Sequence, residues 1–101
     1  MGLNSVVVRI SAENQWSDPL KINPSRRGSA YFDTSVKLES GTFDATIRVQ
    51  RSYDNGKNWE NMVAFTAPSE DVGRCGSQCL IRIGCKAGEY TSGIILARIL
   101  K

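Results

Sequence analysis

The sequence predicts an all-β fold, an antiparallel β-sandwich of about seven or eight short strands that is immunoglobulin-like or jelly-roll-like. Apolar and polar residues alternate in several short segments, which is the period of a strand with one buried face. Turn-forming residues recur roughly every eight to twelve residues, and no segment has a helical period. A partly open barrel is the second choice. The 101 residues are expected to form one domain, residues 1–101.

The first part of the chain contains short strand patterns separated by polar connections. Residues 5–12 alternate, and residues 20–22 form a shorter second strand, with a polar connection around Trp16 between them. Residues 31–38 predict one or two further short strands. These end at Ser40-Gly41, because serine and glycine favour turns.

A long hairpin is predicted over residues 43–65. Apolar side chains alternate along residues 43–49, and Asn55-Gly56 favours a tight reversal because both residues tolerate positive φ. On the returning strand three apolar residues share one inward parity and one polar residue interrupts it: Trp59, Val63 and Phe65, with Asn61 as the exception. We therefore expect Trp59 to anchor the hairpin to the core.

The hairpin turn also contains a recognisable motif. Ser52, Asp54, Gly56 and Trp59 have the spacing S-x-D-x-G-x-x-W, which resembles the Asp-box of sialidases and other β-rich proteins. The resemblance implies a structural role, with the Asp54 carboxylate accepting N–H groups of the turn and Trp59 folding over the hairpin. A single copy in so short a chain excludes a propeller.

The last third of the chain predicts an irregular loop at residues 72–76 and two more strands, residues 79–85 and 92–100. Tyr90, at the start of the last strand, resembles the tyrosine corner of immunoglobulin-like sandwiches, so its hydroxyl is expected to bond nearby backbone. The last strand is apolar on both faces, with Ile94, Leu96 and Leu100 on the second one. Either an intrachain loop or another subunit covers that face.

Composition argues against most catalytic chemistry. The chain has no histidine, which removes the commonest general base and metal ligand. It also lacks a glycine-rich phosphate loop, and its carboxylates fall mostly in turns and on polar faces. We therefore predict a protein that is not an enzyme, with no catalytic residues, no cofactor and no metal site.

The three cysteines predict free, mostly buried thiols and a reducing compartment. Cys75 and Cys79 could meet only if the loop between them folds back. No segment is long and apolar enough for a membrane helix, and the N-terminus does not have the pattern of a signal peptide. The chain is therefore expected to be made and used without secretion.

Candidate binding residues are few. The net charge of +3 is mild and the basic residues are dispersed, which argues against nucleic acid as a partner. Arg26 and Arg27 form the one basic cluster, either a solvated loop or a contact for an acidic surface. Tyr53 is expected at the exposed turn, where it could touch a partner or stack on a sugar.

A wider pattern resembles small structural proteins of tailed bacteriophages. It lies in residues 14–20 (NQWSDPL), in residues 41–66 with ATIRVQRSYDNGKNW at the centre, and in residues 80–93 (LIRIGCKAGEYTSG). The resemblance implies a virion component made in the host cytoplasm, a capsid decoration or cement protein. Its partners would be the major capsid protein or other virion proteins, and copies of itself. The alternatives are a carbohydrate-binding module of a tail or fibre, and a head–tail connector or tail component.

Overall fold

The computed structural model describes residues 5–24 and 30–101, and within them the fold is all-β, as predicted. Nine strands follow one another, rather than the seven or eight short ones expected. They are β1 (Ser5–Ile10), β2 (Gln15–Trp16), β3 (Leu20–Ile22), β4 (Ala30–Ala45), β5 (Ile47–Ser52), β6 (Glu60–Phe65), β7 (Ser69–Cys75), β8 (Cys79–Cys85) and β9 (Tyr90–Leu100). The expectation of uniformly short strands was wrong, because β4 has 16 residues and β9 has 11.

The strands form two antiparallel sheets that pack face to face. The first sheet has the order β1-β9-β4-β7, and the second has the order β2-β8-β5-β6, with β3 also pairing to β8. No strand pairing among the described residues joins one sheet to the other. The structure is consistent with the predicted sandwich, and the barrel alternative is not needed.

The core lies between the sheets and is built by alternating residues of both. In β8 the residues of one parity are buried, whereas Leu80 and Arg82 of the other parity are only partly covered. Isoleucine dominates the core because β-branched side chains pack well on a pleated surface. The buried apolar residues are Ile10, Leu20, Ile22, Phe32, Val36, Ile47, Val49, Phe65, Cys75, Cys79, Ile81, Ile83, Cys85, Ile95, Ala97 and Ile99.

The hairpin predicted at residues 43–65 is correct only from Ile47 onward. The chain leaves the first sheet after Ala45 and enters the second at Ile47, so residues 43–45 belong to β4. Thr46 lies between the two sheets, and its N–H donates to the Glu89 carbonyl at 2.9 Å. β5 and β6 then form the hairpin, with Ile47 opposite Phe65. An alternation that continues smoothly in the sequence thus spans a change of sheet.

Three other local predictions were wrong. The turn at Ser40-Gly41 does not end a strand, since β4 continues through register irregularities to Ala45. Residues 72–76 were expected to be a loop, but most of them belong to β7, an edge strand paired with β4. Its outward side mixes the charged Glu70 and Arg74 with the apolar Val72, and this mixture hides the strand pattern. Trp16 lies not in a loop but in β2, which pairs with β8.

The turn before β9 is fixed by side chains. The Tyr90 hydroxyl donates to the Gly93 carbonyl at 2.7 Å, which confirms the predicted hydrogen bond to nearby backbone. Arg48 of β5 donates to both carboxylate oxygens of Glu89, with Nε and Nη2 each 2.8 Å from an oxygen. This pairing lowers the pKa of Glu89. The start of β9 is therefore attached to the second sheet although β9 belongs to the first.

Candidate functional site

The tip of the hairpin between β5 and β6 is organised around Asp54, as the Asp-box resemblance implied. One carboxylate oxygen of Asp54 accepts the Ser52 hydroxyl at 2.7 Å and the Asn58 N–H at 2.9 Å. The other accepts the Asn58 side-chain amide at 2.6 Å. The buried Ser52 hydroxyl oxygen also accepts the Gly56 N–H at 2.8 Å. Bonds from Ser52 and Asn58 stabilise the charged form and lower the pKa of Asp54 to about 2.

The reversal itself uses two residues with positive φ. Asn55 has φ 65° and Gly56 has φ 91°, the left-handed region that the Asn-Gly pair was expected to occupy. The Gly56 backbone also lies close to the Trp59 ring, since a Cβ built there would be 3.7 Å from Cζ2. Trp59 therefore folds over the hairpin tip, as predicted.

The predicted inward orientation of Trp59 was wrong. A β-bulge lies between Val49 and Gln50, so Val49 pairs with Val63 but Gln50 pairs with Asn61. β6 has one extra residue at the bulge, so residues before Met62 in β6 face the opposite side of the sheet from the one that simple alternation predicts. Trp59 therefore lies on the outer face of the second sheet, as Asn61 does. The polar exception noted at Asn61 was the sequence trace of this bulge.

On that outer face, the guanidinium of Arg82 is stacked between two indoles. Its Cζ lies 4.1 Å from the Trp16 ring centroid and 4.3 Å from the Trp59 ring centroid. Nε and Nη2 both donate to Gln50 Oε1, at 3.0 and 2.9 Å, and Gln50 Nε2 donates to Asn61 Oδ1 at 2.9 Å. Burial lowers the pKa of Arg82. Such stacking is a cation–π interaction on both faces of the cation.

Sequence reasoning missed this Trp–Arg cluster (Trp16, Arg82, Trp59). Trp16 lies in a two-residue strand too short to show a period, and the bulge hides the parity of Trp59. Trp16 fits above β8 because residue 84 is glycine: a Cβ there would be 2.7 Å from Trp16 Cε3. The available signal was Gly84, which does not break the alternation of buried residues in β8 but stands between the apolar Ile83 and Cys85.

The outer face of the first sheet exposes apolar side chains around an arginine. Val7 lies directly opposite Arg98, which is flanked along β9 by Leu96 and Leu100. Val7 is 56% exposed and Leu96 is 39% exposed, while Leu100 is partly buried. No described strand packs over this face, so an intrachain cover is not found within residues 5–24 and 30–101. Ile94, the third residue predicted on this side, is partly buried.

The same face continues onto β4 and β7. Asp33 pairs with both Leu100 and Val72, and Tyr31 lies two residues before it, opposite Arg74. Val72 and Tyr31 are 58% and 63% exposed. A shallow groove of about 490 Å³ lies between Val72 and β9 and is lined in part by Asp33, Glu70, Val72, Arg98 and Leu100. We call Val7, Tyr31, Val72, Leu96 and Leu100 the outer apolar patch.

Two of the predicted partner-binding residues lie outside the described residues, namely Arg26 and Arg27. Tyr53 is exposed at the hairpin tip, as expected, with the Arg51 guanidinium 5.1 Å from its ring centroid. It borders a pocket of about 340 Å³ whose lining includes Lys21, Asn55 and Cys79. The hairpin tip therefore presents one exposed aromatic ring beside polar groups.

Residues 5–24 and 30–101 contain no group of three or more candidate ligands that could hold a metal ion. Nor is any helix in that part of the chain long and apolar enough to cross a membrane. All three cysteines are free and buried, as predicted. Comparisons with protein-family models, with curated proteins and with solved structures find no match for this chain.

Proposed function

We propose that this chain is a non-enzymatic structural protein of a tailed-bacteriophage virion, a capsid decoration or cement protein. It binds capsid subunits and stabilises the head, and it reaches the particle from the host cytoplasm. The sequence resemblance supplies the class of protein. The outer apolar patch of the first sheet is the structural observation in its favour.

The patch combines exposed apolar side chains with charged neighbours, since Leu96 lies between Arg9 of β1 and Lys37 of β4. An antiparallel sheet with one solvated face normally alternates apolar and polar residues, yet β9 has Leu96 and Leu100 on its outer side. Tyrosine and arginine are enriched at interfaces, and here Tyr31 is a member of the patch and Arg98 lies at its centre. A specific interface buries about 1,200–2,000 Å² in total, an area within reach of one face of a four-stranded sheet.

The charge of Arg98 indicates what kind of partner surface would complement the patch. Arg98 lies at its centre, opposite Val7 on one side and Ser35 of β4 on the other. A capsid surface with apolar residues around a carboxylate would complement this arrangement, because the arginine fork pairs well with carboxylates. Repeated over many capsid subunits, such contacts would place many copies of the chain on one shell.

The experiment is binding of the purified chain to phage heads that lack it, measured by co-sedimentation and by copy number in the particle. Leu96→Asp is expected to reduce binding at least tenfold, because it puts a charge into the patch without touching the core. Ala64→Asp is the matched control, since Ala64 is exposed on β6 of the second sheet. A chain that never co-sediments with heads, or a Leu96→Asp variant that binds normally, would contradict the proposal.

Glycan binding is the second candidate, favoured by the exposed Tyr53 ring beside the hairpin-tip pocket. The same set of variants separates it from docking through the first sheet. Binding of the wild-type chain to sugars on a glycan array would favour a carbohydrate-binding module of a tail or fibre. In that case Tyr53→Ala should lose the binding and Leu96→Asp should keep it. Localisation of the chain at the neck or tail by cryo-electron microscopy would instead favour a connector or tail component.

A further inference from the structure

Two of the buried cysteines meet at the crossing between the sheets. Cys75 is the last residue of β7 in the first sheet, and Cys79 is the first residue of β8 in the second. Their Sγ atoms lie 2.9 Å apart, and the residues are 1% and 4% exposed. The chain between them therefore folds back, as a contact between the two cysteines requires.

We propose that Cys75 and Cys79 are a disulfide-forming pair, oxidised by a small-molecule disulfide such as oxidised glutathione. Cys85 has no comparable neighbour, because its Sγ contacts the Lys86 carbonyl oxygen instead of a second sulfur. The bond would link the two sheets covalently at one end of the sandwich. This modification is independent of which partner the chain binds.

The step balances by thiol–disulfide exchange. The thiolate of one cysteine attacks a sulfur of oxidised glutathione, which forms a mixed disulfide and releases one molecule of glutathione. The thiolate of the other cysteine then attacks the cysteine sulfur of that mixed disulfide and displaces the second glutathione. The two protein thiols are oxidised and the reagent is reduced to two thiols. The two protons lost by the cysteine thiols end on the two glutathione thiols, so the exchange releases no net proton.

Access for the reagent is provided by the hairpin-tip pocket. Cys79 lines this pocket of about 340 Å³, together with Lys21 and Tyr53. The Lys21 ammonium would attract an anionic reagent such as glutathione. Cys79 is therefore the cysteine that the reagent reaches first, and Cys75, which does not line the pocket, is the resolving one.

The reaction is expected to be slow at neutral pH. Burial, followed by the contact with Cys75, raises the pKa of Cys79 to about 12, so little thiolate is present. The rate should therefore rise roughly tenfold for each pH unit between about pH 7 and 9, since only the thiolate attacks. Once formed, the cross-link restricts the unfolded chain, and the melting temperature should rise by about 5–10 °C.

The test is incubation of the full chain with oxidised glutathione at pH 8.5, followed by counting of thiols in denaturant. The thiol count is expected to fall from three to one, and peptide mapping is expected to link Cys75 to Cys79. Cys85→Ala should still form the bond and lose both remaining thiols. Cys79→Ser should retain both of its thiols.

Thiol counting and peptide mapping also give the outcomes that would overturn the proposal. Three free thiols after prolonged incubation, a bond that includes Cys85, or a stable glutathione adduct in the unmodified chain would each contradict it. Since the wild-type chain gives the map and the melting temperature, the test does not depend on the folding of any variant.

Discussion

The conformation of the hairpin tip depends on the side-chain carboxylate of Asp54. Its pKa is lowered to about 2 by the Ser52 hydroxyl and by both amides of Asn58, although it lies at the surface. A carboxyl with a depressed folded-state pKa stabilises the fold above its unfolded pKa of about 4, and this contribution is lost as the pH falls through about 2.

We therefore expect the wild-type melting temperature to fall between pH 4 and pH 2, and to fall less in Asp54→Asn. The variant should also be less stable than wild type at pH 7, because a neutral amide oxygen accepts these hydrogen bonds more weakly. Melting curves from pH 2 to pH 7 measure both effects. Asp44→Asn, which alters an exposed carboxylate on β4, is the control and should follow the wild-type profile.

Single residues also show how far the sequence could be read. Asp54 and Gly56 do what their motif predicts, because a turn is fixed by contacts within a few residues. Trp59 does not, because its face depends on one extra residue in β6, and a bulge is settled by pairing with a distant strand. Local chemistry was predictable at this tip, whereas the direction of the side chain beside it was not.

Among the strands, β2 shows how a short element is held by another. It has only two residues, and its attachment depends on the space above Gly84 of β8, where a Cβ would lie 2.2 Å from the Gln15 carbonyl oxygen. The Trp–Arg cluster depends on the same space, since Trp16 covers Arg82 from β2.

Gly84→Ala is therefore expected to destabilise the fold by about 1–3 kcal/mol, as overpacking of a tight contact does. It should also shift the tryptophan emission to longer wavelength, because Trp16 would leave Arg82 and become more exposed. Gly76→Ala is the matched control, since a Cβ at Gly76 meets nothing within 4 Å. A normal melting temperature and emission spectrum for Gly84→Ala would contradict this account.

Strand positions explain which elements were predictable. β8 is central in its sheet and alternates cleanly, so its bounds follow from its period. β7 is an edge strand whose outward side mixes charged residues with Val72, and Gly73 breaks its inward side because the Phe32 ring lies over it. The outward apolar residues of β9 were evident from its composition, but the period of a strand carries no information about what packs against its outer face.

The two sheets have different outer faces although they share one core. The first sheet presents the outer apolar patch, and the second presents the Trp–Arg cluster with its hydrogen-bonded Gln50 and Asn61. Nearly all of the pairings that make each sheet join strands distant in the chain. Such topologies fold slowly and as a unit, because loop closure precedes the contacts that stabilise it.

One shared core predicts that the two sheets unfold together. Both tryptophans lie on the second sheet, so their fluorescence reports that sheet, whereas far-ultraviolet circular dichroism reports both. Ile99→Ala removes a fully buried side chain of β9 in the first sheet and should cost about 2–4 kcal/mol. Denaturant unfolding should show the two signals shifting to the same lower midpoint, because a small single domain unfolds in one transition.

Val7→Ala, which shortens an exposed side chain on β1, is the control. It should change the free energy of unfolding by about 0.5 kcal/mol or less, whichever signal is followed. A fluorescence midpoint that stays at the wild-type value while the dichroism midpoint falls would mean that each sheet is stable without the other.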